Sequence, residues 1–122
     1  SYAPPSNETF IVSRDERLYF ADILEACSRI QRLAAARNRE GLQTDEAAWF
    51  AVLYSLVSIG EAVKHLSSET RESHPAIPWK RIAGFRDVAA HEYFGIDVAL
   101  VSDIVETEIP VLKAAIERLL AP

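Results

Sequence analysis

Apolar residues recur along this chain at helical spacing in four runs. In the first, Leu18, Phe20, Leu24, Cys27, Ile30 and Leu33 alternate with the charged Arg17, Asp22, Glu25, Arg29 and Arg32. Ser13 followed by Glu16 has the spacing of a capping box, and Gly41 suits a chain leaving a helix, so a helix is predicted to end near Arg39. Thr44-Asp45-Glu46 predicts a second start, a capping threonine followed by acids where the macrodipole favours them. The stretch behind it, AAWFAVLYSLVSIGEAVKHL, is apolar around most of its circumference and carries only Glu61 and Lys64 as charges. Such a helix is buried on more than one side or lies at a subunit interface. Residues 67–78 predict a polar connection with two prolines. A third, shorter run carries Trp79, Ile82, Phe85 and Val88, with a bend or break expected at Gly84. After a turn at Tyr93 to Ile96, Asp97 is expected to cap the fourth run, Val98, Val101, Ile104, Val105, Ile109, Leu112, Ile116 and Leu119. Pro110 falls inside that pattern and predicts a kink rather than an end, because the spacing continues past it. No strand-like alternation and no repeat occurs. The pattern predicts an all-α fold, an antiparallel bundle of four main helices plus a short helix, as one domain over 13–122 behind an extended arm over 1–12.

Composition narrows the function. The net charge of −5 argues against wide coating of nucleic acid, which needs many Lys and Arg, but allows a small basic notch that handles a few phosphates. The single cysteine, Cys27, permits no intrachain disulfide, and the opening residues lack the order of a secretory leader. A cytoplasmic protein with no membrane partner is therefore expected. The three histidines, His65, His74 and His91, come with no second cysteine, no HExxH and no glycine-rich phosphate loop. Neither a metal nor a cofactor is expected.

The unusual chemistry lies between Arg86 and Tyr93, in the string RDVAAHEY. Arg86 and His91 are five apart, which in regular helix points them about 140° apart. Asp87 and His91 are i, i+4 neighbours, so the acid is placed to orient the imidazole. An arginine grips phosphate by forked contacts, and an imidazole takes a proton from an attacking hydroxyl or gives one to a leaving oxygen. An RNA 2′-hydroxyl already sits beside its phosphate, so such a pair suits phosphodiester cleavage. Spacing alone leaves a second reading open, a solvated cluster that makes helix-end hydrogen bonds. Glu61 has two readings as well, a supporting acid or a simple pair with Lys64 or His65. Trp49 and Trp79 read as core anchors, Cys27 as a small core hydrophobe, His65 as a helix-end cation and His74 as solvated.

The wider string from Ile77 to Asp97, IPWKRIAGFRDVAAHEYFGID, resembles the HepT-like branch of the HEPN superfamily, whose Arg-x4-His-x-Tyr motif is matched by Arg86, His91 and Tyr93. Ile59-Gly60-Glu61-Ala62 and the Ile109-Pro110 step are similar to that branch too, so the resemblance spans roughly residues 15–120. It implies a homodimer with two motifs facing one cleft, and metal-independent RNA cleavage by the 2′-hydroxyl that leaves a 2′,3′-cyclic phosphate. Arg86 would hold the phosphate, His91 would move the proton, and Asp87 and Glu61 would support them. It further implies the toxin half of a type VII-like HEPN/MNT toxin–antitoxin pair. There an MNT nucleotidyltransferase antitoxin transfers AMP to the motif tyrosine, here Tyr93. The other function considered is a non-catalytic HEPN dimer that binds nucleotide or docks such a partner.

Overall fold

The computed structural model describes residues 14–95 and 97–122. The arm over 1–12 and the proposed cap at Ser13 lie outside the described residues. Within them every regular element is helical, as the apolar spacing predicts.

The first helix, α1 (Arg14–Ala35), buries Phe20, Ile23, Cys27 and Ile30 completely. The buried stripe is rotated from the predicted one, since Ile23 and Ala26 join it and Leu18 stays exposed. The helix also stops earlier than expected. Asn38 caps a separate short helix, α2 (Arg39–Thr44), by accepting from the Gly41 amide at 2.7 Å, so Gly41 opens a helix instead of following one. Thr44 closes α2, its hydroxyl donating to the Glu40 carbonyl, and the cap of α3 (Glu46–Lys64) passes to Asp45, which accepts from the Ala48 amide at 3.1 Å. The predicted Thr cap is thus displaced by one residue, because the threonine is already spent on the preceding helix.

The polar connection contains a further helix, α4 (Ser68–Ser73), capped by Ser67. Its start is tied to α1, where the Ser67 amide donates to Glu16 Oε1 at 2.7 Å and the Thr70 hydroxyl donates to the other Glu16 oxygen. Burial pushes the Glu16 carboxyl up, but these hydrogen bonds outweigh it and hold the group below its ordinary range. The third run breaks at Gly84 as predicted, into α5 (Trp79–Ala83) and α6 (Phe85–Tyr93). The fourth is continuous through α7 (Val98–Asp103), a π-helical turn (Ile104–Glu108) and α8 (Ile109–Leu120). Pro110 explains the π turn. It has no N–H for the Glu106 carbonyl and its ring crowds that group, so the helix widens just before it, with the Ile109 amide reaching back five residues to Ile104.

Side-chain ties fix the helix directions. Tyr19 stacks on His65 and Arg29 donates to Ser55, so α1 and α3 run antiparallel. Trp49 meets Glu92 and Gly60 meets Arg86, so α3 and α6 run antiparallel as well. The central α3 is long and apolar enough to cross a membrane by composition alone, but 56% of that window is buried among its neighbours, as a bundle's core helix requires. Trp49, Trp79 and Cys27 all lie in the core, and burial pushes the Cys27 thiol up to about 12, which leaves it protonated and unreactive.

Candidate active site on the outer face of α3 and α6

The break at Gly84 starts α6 on a new axis, and a second glycine sets how close that axis comes to α3. A Cβ on Gly60 would lie 2.9 Å from the Ala83 carbonyl oxygen and 3.0 Å from the Arg86 Cβ. Only a bare backbone lets the two helices approach this closely. The approach places Arg86 beside the residue that follows Gly60, and Arg86 Nη1 pairs with Glu61 Oε1 at 2.6 Å. Phe85 and Ala89 face inward into the core, while Arg86 stays on the surface.

His91 is organised from the other end of α6. Gly95, at φ +80°, turns the chain back in a conformation that favours glycine. Its amide donates to the Glu92 carbonyl at 2.7 Å. The Glu92 carboxylate, buried among α3, α6 and this turn, accepts from Trp49 Nε1 at 3.3 Å and from the Asp97 amide at 3.1 Å. Asp97 makes no side-chain cap to α7, contrary to the sequence expectation. Its Oδ2 lies instead 3.5 Å from Nδ1 of the exposed His91, and Nε2 makes no hydrogen bond among the described residues. The acid expected to orient His91 was Asp87. Its side chain is exposed and makes no hydrogen bond or ion pair among the described residues, and the acid that lies beside His91 is Asp97.

Tyr93 is 66% exposed and sits against Phe50 at 6.1 Å and edge-on to Phe94 at 5.3 Å. Together with Tyr54 and Val57 these rings line an apolar groove of about 360 Å³ between α3 and α6. Arg86, Ala90 and Tyr93 share one side of α6 at four- and three-residue steps, so the guanidinium, the groove and the tyrosine hydroxyl belong to one face.

The family model described as "Ribonuclease HepT-like" matches residues 23–119. The chain belongs to this family. A probable ribonuclease HepT of Thermococcus cleftensis is 36% identical over 108 residues, which cover 88% of this chain and 98% of the relative. A protein of Caldanaerobacter subterraneus named as a candidate RNase is 38% identical over 104 residues, 85% of this chain and 93% of its own. Another candidate RNase, from Methanocaldococcus jannaschii, is 36% identical over 107 residues, 88% of both chains. No solved structure matches the chain.

Within this HepT-like ribonuclease fold the structure sorts the sequence candidates into two groups. Arg86 with Glu61 forms one and His91 with Asp97 the other, each side chain set beside a different acid. The 140° offset of Arg86 and His91 around α6 remains, and no contact joins them. Glu61 pairs with Arg86 and not with Lys64 or His65. His65 ends α3 as read, and its ring is further occupied by Tyr19 at 5.0 Å. No group of three or more His, Cys, Asp or Glu side chains close enough to hold a metal ion occurs among the described residues. Sequence reasoning missed Asp97 and Glu92 as site-building residues. Glu92 lies beside His91 in sequence, but a carboxylate next to a histidine carries no signal until the turn that folds Asp97 back is known.

Proposed function

We propose that this chain cleaves RNA without a metal, as the toxin of a pair whose antitoxin is an MNT-type nucleotidyltransferase. The observation that carries the reading is the exposed face of α6, where an arginine with unused donors and an acid-oriented imidazole stand in the motif of a ribonuclease family. Arg86 holds the non-bridging oxygens of the scissile phosphate. His91 Nε2 takes the proton of the 2′-hydroxyl as O2′ attacks phosphorus. The P–O5′ bond breaks, the departing oxygen takes a proton from water, and the products are a 2′,3′-cyclic phosphate and a 5′-hydroxyl.

The separation of Arg86 from His91 supports a homodimer, in which each phosphate meets the arginine of one copy and the imidazole of the other. The exposed rings of Phe50 and Phe94 supply apolar surface suited to such a seam. Tyr93 also fits the regulatory reading. Its exposed hydroxyl attacks the α-phosphate of ATP, pyrophosphate leaves, and the AMP added brings bulk and negative charge to the phosphate-handling face.

The test is cleavage of single-stranded RNA by the purified chain in EDTA. Cutting that His91→Ala abolishes, with an unchanged circular dichroism spectrum, is the expected result. Cutting that survives His91→Ala, or that requires an added divalent cation, overturns the mechanism. Incubation with the antitoxin and ATP should add about 329 Da per AMP to wild type and nothing to Tyr93→Phe.

A further inference from the structure

A second cleft, of about 350 Å³, opens between α1 and α3, next to the apolar groove. It is continuous with the candidate site through two residues. Glu61, the partner of Arg86, lines this cleft, and Tyr54 lines both the cleft and the groove. Its walls are flat and π-rich. Tyr19 and His65 stack nearly parallel, at 11°, and the Arg29 guanidinium lies over the Tyr54 ring, 5.7 Å from its centroid. Arg29 is held in that plane by Ser55 Oγ at 3.0 Å and Glu25 at 3.4 Å. Its lining is acidic, with Glu25 paired to Arg29, Glu61 paired to Arg86, and Asp22 as a third carboxylate.

These features select among the parts of an RNA chain. Three carboxylates repel a phosphate, so the cleft does not extend the backbone grip of Arg86. Aromatic and guanidinium planes stack unpaired bases, and carboxylates accept from the amino groups on base edges. Guanine offers N1–H and an amino group side by side, matching the two oxygens of a carboxylate. Adenine and cytosine offer an amino group alone, and uracil sets its one N–H between two carbonyls that carboxylates repel.

We propose that the α1–α3 cleft reads the base of a nucleotide flanking the one held at Arg86, and that it takes a base bearing an amino donor, guanine above the others. The proposal rests on the ribonuclease reading of Arg86 and His91, and the experiment separates the two. The probe is a fluorescent 2′-O-methyl hexauridylate, which has no free 2′-hydroxyl and is not cut, compared with forms carrying one G, A or C. Anisotropy should show the best-placed single-G form binding about tenfold tighter than the all-U form, the scale of one good carboxylate–base pairing. Asp22→Ala, an exposed change that spares the core, should flatten that preference. Tyr54→Ala should weaken all four forms alike, since stacking is indifferent to the base. Equal affinity for the four forms, no binding, or a G preference that survives Asp22→Ala overturns the base-reading cleft. Unmodified RNA cut by wild type and spared by His91→Ala keeps the ribonuclease reading in each of those cases, and failure of that cutting removes it independently.

Discussion

Arginine–carboxylate pairs occur at two ends of this molecule, and they differ in how completely the guanidinium is used. Arg39, beside the π turn, donates to Glu106 at 2.6 and 3.1 Å and to Asp103 at 2.7 Å. Arg81 makes a forked pair with Glu108 at 2.9 and 2.7 Å. Both have their pKa raised, first of all by those hydrogen bonds. Arg86 makes one ion pair with Glu61, and the rest of its donors carry no hydrogen bond among the described residues. A guanidinium has five N–H donors in a fixed fork. A fork engaged through two or three donors ties helices together, whereas one held by a single contact to one acid is aimed and still able to receive a second anion. On the proposed reading this difference distinguishes a structural arginine from one that receives phosphate, although all three lie on the surface.

The contrast breaks most sharply on activity. Arg86→Ala should lower kcat/KM for RNA cleavage about 100-fold or more, the scale of removing one preorganised donor to a transition-state oxyanion. Arg39→Ala should leave cleavage unchanged while lowering the melting temperature. Equal effects of the two substitutions on cleavage would show that saturation does not distinguish them. Gly60→Ala tests how the aim is set. The new Cβ meets the backbone of Ala83 at 2.9 Å and Arg86 Cβ at 3.0 Å, so the end of α5 and the start of α6 must move away from α3. The cost should be about 1–3 kcal/mol of stability, the range for overpacking, and the displacement of Arg86 should lower cleavage in the fraction that stays folded. Thermal melts and rates measured together at a temperature below both transitions would check this, and an unchanged rate would mean that the Gly60 contact does not position the arginine.

The same contrast applies to acids. Asp97 lies beside His91, and Asp87 makes no hydrogen bond or ion pair among the described residues. Asp97→Asn should lower kcat about tenfold with KM and melting temperature little changed, the size of an orienting second partner. Asp87→Asn should be neutral in all three. The reverse ranking would restore the i, i+4 assignment made from spacing.

How much of this was legible follows from where each determinant sits. The break at Gly84 and the strain at Pro110 were readable because glycine and proline act through their own backbones. The residues Arg86, His91 and Tyr93 stood out as a string, and their neighbours Gly60 and Glu61 came with the same resemblance. The Asp97–His91 contact was not legible, because it depends on a left-handed turn at Gly95 and on a buried Glu92 bonded to Trp49, 43 residues away. Helix α4 was hidden for a similar reason. It has no apolar periodicity, and its start is fixed by Glu16, 51 residues from Ser67. Helical spacing reports which face of a helix is buried, but it does not report which distant polar group completes a turn.

The smallest expected effect concerns a saturated acid and is read in pH. Asp45 accepts from the Ala48 amide and from Arg37 Nε at 3.0 Å, and these contacts, the amide first, hold its carboxyl below its ordinary value of 3.8. A depressed folded pKa favours the folded state above the unfolded value, and the contribution disappears as pH falls through the folded one. Wild type should therefore be slightly more stable than Asp45→Asn at neutral pH, since asparagine also caps a helix and only the charge is lost. The gap should close as pH drops below about 4, and it should shrink with added salt because the pair is partly exposed. Melting curves of wild type and Asp45→Asn from pH 7 to pH 3 would check this, and a gap that stays constant over that range would mean that the Asp45 charge does not support the fold.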